Sequence, residues 1–115
     1  MISKHHRFSG LGSLRYVFAR GNTIRGGSCS LRYHLNQRRD TFRVAVVVSR
    51  KVHKSAVVRN RIRRRIYEIV RSQQSSIAKP YDLVITVYSD QLATLPSKEL
   101  HSLITGLFKK AGVLQ

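Results

Sequence analysis

A chain of 115 residues has the length of one compact domain, which on folding buries roughly two-thirds of the surface its unfolded chain exposes. Twenty-two Lys and Arg against five Asp and Glu leave a formal charge of +17, a self-repulsion that RNA, DNA or an anionic membrane would relieve. The longest apolar run, residues 44–48, is too short to cross a bilayer, and the lone Cys29 excludes an internal disulfide and a multi-cysteine zinc site.

The first ten residues lack the apolar stretch of a secretory signal, so the expectation is a cytoplasmic protein that begins where the sequence does. His5 and His6 beside Lys4 and Arg7 read as a mobile basic arm over about residues 1–8. With no repeat and no long Pro/Gly linker, residues 1–115 are expected to form a single domain. Ser9 is placed to cap a helix over 9–20, with Leu11, Leu14, Val17 and Phe18 near one face and Gly21 as the stop. A short strand at 22–25 is weakly signalled.

After Gly26-Gly27, Cys29, Leu31, Tyr33 and Leu35 alternate with Ser30, Arg32 and His34, the period of a half-buried strand. Cys29 then falls in the core. Residues 36–40 are turn-like, and the valine-rich run over 42–49 is expected to return antiparallel to the first strand as a hairpin. The longest helix should run over 55–72 from a Ser55 cap, burying Val58, Ile62, Ile66, Ile69 and Val70 and displaying its arginines. Residues 83–88 form another strand. Pro96-Ser97 opens a last helix with Leu100, Leu103, Ile104, Leu107 and Phe108 inward, and Gly112 closes it. The order predicts an α+β domain: a sheet with helices packed mainly on one face.

Catalytic groups are scarce. Asp40, Asp82 and Asp90 occupy turn or strand-entry positions, Glu99 suits the first turn of the last helix, and Glu68 lies within reach of Arg64 and Arg71. No carboxylate pair remains for a protein-based metal nuclease, the five histidines show no metal-binding spacing, and no nucleophile elbow or phosphate loop is present. The chain therefore reads as a binder that supplies charge and shape.

That charge is concentrated. Residues 50–65 hold eight of the twenty-two basic residues and no acid, and every basic residue of the long helix is Arg, whose planar fork grips phosphate in two places. Six to eight phosphate contacts would give a logarithmic salt slope of about −4 to −7. Arg32, His34 and Arg43 could extend the footprint over the sheet, and Phe18, Tyr33 and Tyr88 are candidate stacking partners for unpaired bases. Phe18 and Tyr33 also sit on apolar stripes, where core packing competes with stacking, and Arg38-Arg39 is readable as a solvated turn.

Val48-Ser49-Arg50-Lys51 followed by Ala56-Val57-Val58-Arg59-Asn60-Arg61-Ile62-Arg63-Arg64 closely resembles the signature of the bacterial ribonuclease P protein subunit. Arg7-Phe8, Val17-Phe18 with Gly21, and the strand 82–87 extend the resemblance over nearly the whole chain. It implies an α-β-β-β-α-β-α domain with a mixed sheet and a left-handed βαβ crossover, the fold type of a small-subunit ribosomal protein domain. It also implies removal of the 5′ leader from precursor tRNA by a ribonucleoprotein whose catalytic groups and Mg2+ lie chiefly in the RNA subunit, with one protein per RNA.

By the same resemblance, Arg50, Lys51, Arg59, Asn60, Arg61, Arg63, Arg64 and Arg65 would face the RNA. Leu14, Phe18, Arg32, Tyr33 and Tyr88 would serve the leader. The chain departs from the family in having Leu14 where a second aromatic is frequent, and Val87-Tyr88-Ser89 where a basic residue is common. The alternative is a ribosomal or general RNA-binding protein with no part in tRNA cleavage. A DNA-binding module is disfavoured by the lack of two helices joined by a short turn, and membrane binding by the lack of an aromatic-rich helix face.

Overall fold

In the computed structural model, residues 6–8 and 12–114 are described. The elements are α1 (Gly12–Arg20), β1 (Asn22–Arg25), β2 (Cys29–Leu35), β3 (Arg43–Val47), α2 (Ala56–Ser72), β4 (Tyr81–Val87) and α3 (Ser97–Ala111), with 3-10 turns at Gln74–Ser76 and Asp90–Ala93. This is the expected α+β order, and the weakly signalled strand at 22–25 is present. The Ser9 cap expected for the first helix lies outside the described residues.

The four strands form one mixed sheet in the order β1-β2-β4-β3. β2 runs antiparallel to both β1 and β4, whereas β3 runs parallel to β4. The expected hairpin between β2 and β3 is therefore not formed. Asn36 at the end of β2 donates its backbone N–H to Pro80 O at 3.0 Å, tying β2 to the start of β4, and β4 fills the place the hairpin partner would have taken. The continuous apolar run 44–48 carried the signal, since a parallel strand joined to its neighbour by a helical crossover needs no clean alternation.

Alternation along β2 and β4 sorts the rest. Cys29 and Leu31 of β2, Leu83, Ile85 and Val87 of β4, and Val44 and Val46 of β3 join one buried cluster with Ile62, Ile66 and Val70 of α2 and Leu100, Ile104, Leu107 and Phe108 of α3. Both long helices thus cover one face. Ser30, Arg32 and His34, paired with Thr86, Val84 and Asp82, point to the opposite face, which carries α1. There Val17 and Val84 are fully buried outside the main cluster. Gly21 ends α1 where a Cβ would lie 2.6 Å from Val17 O and 3.0 Å from Tyr33 O, so the chain can turn into β1 only without a side chain.

The outer strand is held on both of its edges. Arg43, 8% exposed, donates from Nε to Asp82 Oδ1 at 2.8 Å and from Nη2 to Oδ2 at 2.9 Å, across a directly paired position of β3 and β4. Asn36 Nδ2 adds a bond to Oδ2 at 3.1 Å. Beyond β3, Arg7 forms a parallel bridge with Val44, the His6 ring stacks on Phe42 with centroids 4.1 Å apart, and Val46 N–H donates to Tyr67 Oη at 3.2 Å. Residues 6–8 of the expected arm thus lie against the sheet.

Candidate nucleic-acid interface

α2 presents the basic segment because its start and its apolar stripe are both fixed. Ser55, in an extended conformation, accepts from Val58 N–H, and Ile62, Ile66 and Val70 recur at four-residue spacing against the sheet. On this rod Asn60, Arg61 and Arg64 are exposed, with Arg50 and Lys51 exposed in the loop that precedes it. Arg61 and Arg64 have no hydrogen-bond partner among the described residues. Their charge is available to a ligand.

The other three matched arginines are half-buried and tethered. Arg59 Nη1 donates to the carbonyls of His53 and Lys54, both at 2.9 Å. Arg63 donates from Nη1 to Asn60 Oδ1 at 2.6 Å and from Nη2 to Val48 O at 3.2 Å. Arg65 reaches away from the helix to the carbonyls of Leu92 and Leu95, which close the 3-10 turn before α3. The expectation that the helix simply displays its arginines holds for Arg61 and Arg64, while Arg65 braces α2 against the segment leading into α3. Between α2 and the N-terminal segment, Arg7, Val57, Asn60, Arg63, Arg64 and Tyr67 line a groove of about 610 Å3.

The α1 face of the sheet holds a second constellation. Tyr88, 55% exposed, stands at the end of β4 with its hydroxyl 2.8 Å from Ser30 Oγ on β2. Arg32 and Leu14 are half-buried, on the same face of β2 and on α1 respectively. The side chain of Phe18 lies outside the described residues. Tyr33 belongs to the opposite face: it packs against the core, edge-on to Tyr81 at 6.3 Å. Arg43 is withdrawn from any footprint over the sheet by its pairing with Asp82, whose role is thus a buried counter-ion as well as a strand entry.

One exposed aromatic was not singled out from sequence. Tyr16, 51% exposed, meets His34 edge-on with centroids 5.2 Å apart. With Asn36, Arg38, Arg43 and Asp82 they line an open cleft of about 550 Å3 at the far end of β2. Its only trace in the sequence is that Tyr16 stands off the apolar stripe of α1, a position where a core aromatic has no reason to be.

Elsewhere the titratable residues have ordinary duties. Cys29 is buried, and burial pushes its thiol up to about 11, so it is a core residue rather than a nucleophile. Ser89 caps the turn that Asp90 opens, and Glu99 lies in the first turn of α3. Among the described residues no group of three or more His, Cys, Asp or Glu could hold a metal ion, and no helix is long and apolar enough to cross a membrane.

Comparison with known proteins points the same way. The family model for Ribonuclease P matches residues 2–112. The ribonuclease P protein component of Roseiflexus castenholzii is 38% identical over 95 residues, covering 83% of this chain and 76% of the relative. That of Clostridium novyi is 34% identical over 113 residues, covering 97% and 98%. The fold is that of the RNase P protein from Staphylococcus aureus (TM-score 0.85, 21% identity, 96% of this chain and 98% of the other) and from Thermotoga maritima (TM-score 0.79, 22% identity, 90% and 96%). With a family match that runs almost from end to end, centred on a helix built to carry exposed arginines, the chain belongs to the ribonuclease P protein family.

Proposed function

We propose that this chain is the protein component of a cytoplasmic ribonuclease P, one copy per catalytic RNA, acting as a single RNA-binding domain in removal of the 5′ leader from precursor tRNA. The observation that carries this reading is the distribution of charge on α2: exposed Arg61 and Arg64 on a capped, core-packed rod, with Arg59, Arg63 and Arg65 held in place by backbone carbonyls. Arg59 and Arg63, already placed, lose little side-chain freedom on meeting phosphate, while Arg61 and Arg64 bring charge with no internal bond to break.

Hydrolysis is assigned to the RNA, which would also hold Mg2+ among its phosphates. In this reading the polypeptide has three tasks. Arg50, Lys51, Arg59, Asn60, Arg61, Arg63 and Arg64 bind the catalytic RNA, and Arg65 keeps α2 and the turn before α3 in register. Neutralising phosphates near the cleavage point lowers the amount of Mg2+ the RNA needs to stay folded with its substrate. The α1 face, with Leu14, Phe18, Arg32 and Tyr88, holds the single-stranded leader, and Tyr33 contributes from the core side by setting the strand that carries Arg32.

The test is cleavage of precursor tRNA by the purified RNA subunit at low Mg2+ with and without this protein. The expected result is at least a tenfold gain in kcat/KM for leader-bearing substrate when the protein is added. Cleavage by the polypeptide alone, or no gain over the RNA alone despite tight binding, would overturn the assignment and favour a general RNA-binding role.

A further inference from the structure

The flank of α2 that faces α3 has a shape that phosphate binding does not require. A groove of about 500 Å3 runs between α2 and the first turns of α3, and its floor is apolar: Ile69, half-buried, and Leu100, buried. Arg61 and Arg64 stand exposed on its rim, and Arg65 forms a wall whose guanidinium is committed to the carbonyls of Leu92 and Leu95. His101 closes the α3 side, its ring edge set by Gln73 Nε2 and Thr105 Oγ1, each 3.4 Å from a ring nitrogen. Arginines on a flat helix face would bind a sugar-phosphate backbone as well, so the apolar floor needs its own explanation.

A ligand matched to this groove has an apolar face at its centre and negative charge at its ends. We propose that the groove receives one unpaired nucleotide of the RNA partner, its base laid against Ile69 and Leu100 and its flanking phosphates on Arg61 and Arg64. The proposal rests on the RNA-binding reading above and adds to it a base-level contact by which the protein locates one position in the RNA. The volume lies in the roughly 300 to 1,000 Å3 range of pockets that enclose ligands of about this size. Stacking an unpaired base on an apolar or planar surface is the general way proteins read single-stranded RNA.

Charge selects this occupant over a second polypeptide copy, which would bring another +17 against the arginine rim. Glu68 also lies on the rim, 3.4 Å from Arg71 Nη1. Its carboxylate repels a phosphate at that point, which leaves the Arg61 and Arg64 side of the rim to the phosphates.

The experiment uses the holoenzyme reconstituted with the RNA subunit. Ser97 and Ser72 are exposed and line the groove, whereas Gln74 is exposed and does not. Cys29 is fully buried, so a photoreactive group attached at Ser97→Cys labels one site. The expected adduct falls on one unpaired nucleotide, or two adjacent ones, of the RNA; adducts spread along duplex, or joining two polypeptides, would overturn the proposal. In parallel, Ser72→Glu and Gln74→Glu add the same charge two residues apart. Ser72→Glu is expected to weaken RNA affinity at least tenfold and Gln74→Glu less than threefold, with unfolding midpoints for both near that of the unaltered protein. Equal losses would sink the groove and leave general electrostatics; failure of the unaltered protein to bind the RNA in a salt-sensitive manner would instead sink the underlying RNA-binding reading.

Discussion

Replacing Asp82 by Leu tests how the outer strand is held. The carboxylate receives two hydrogen bonds from Arg43, at 2.8 and 2.9 Å, and one from Asn36 at 3.1 Å, and the side chains of Arg43 and Asp82 are 9% and 2% exposed. Removing it leaves a guanidinium buried between β3 and β4 with the Phe8 ring 4.4 Å away as its remaining neighbour of note. Breaking a buried pair in this way costs about 3–5 kcal/mol, against a total of about 5–15 kcal/mol for a domain. With a urea dependence of about 2 kcal/mol per molar, the unfolding midpoint should fall by roughly 1.5–2.5 M.

The companion variant, Arg43→Met with Asp82→Leu, removes both charges and should return to within about 1 kcal/mol of the unaltered protein. Because Arg43 is internally neutralised, the salt slope of RNA binding should be the same in the double variant. Circular dichroism in urea and a salt titration of RNA affinity read both quantities. A single variant that shifts the midpoint by less than about 0.5 M, or a double variant no more stable than the single, would refute the reasoning.

Three further outcomes follow from the site. Arg61→Ala should lower the salt slope of RNA binding by about 0.7–0.9 at an unchanged melting temperature, whereas Arg65→Ala should cost about 1–3 kcal/mol of stability by stranding the carbonyls of Leu92 and Leu95; titration and thermal melts separate the two. Tyr88→Leu should weaken binding of leader-bearing precursor by about 1–3 kcal/mol and leave mature tRNA unaffected, with Tyr88→Phe retaining most of the affinity, as measured by paired binding assays. Cys29 should resist alkylation at pH 8 in the folded protein and react on unfolding; because its native pKa of about 11 exceeds the ordinary 9.0, the native state loses stability as pH rises from about 9 toward 11, visible as a falling urea midpoint.

The parts of the molecule governed by local rules were legible in the sequence, and those governed by distant pairing were not. α2 could be bounded to within a residue because Ser55 caps it and Ile62, Ile66 and Val70 mark its period. The partner of β3 could not be read from local pattern, because a valine run next to a turn satisfies a hairpin and a parallel crossover equally until β4 is placed; the family resemblance alone implied the crossover. Face assignment in β2 followed from alternation alone: Arg32 and Tyr33 are one residue apart and therefore lie on opposite sides, which separates two residues the sequence had grouped. The tethering of Arg65 was hidden because its acceptors are 27 and 30 residues away, and a guanidinium that binds carbonyls has the same letter as one that binds phosphate.

The Tyr67 hydroxyl and the Arg7 bridge on β3 matter before any RNA is met. A newly made sheet with a bare valine-rich margin would template strand after strand of its own kind, and fibrils would compete with assembly. Here the N–H of Val46 is occupied, Val44 is paired with Arg7, and the opposite margin is only four residues long and ends in Arg25. With both margins closed in this way, strand-to-strand templating has no open edge to start from, and the valine run stays committed to the fold.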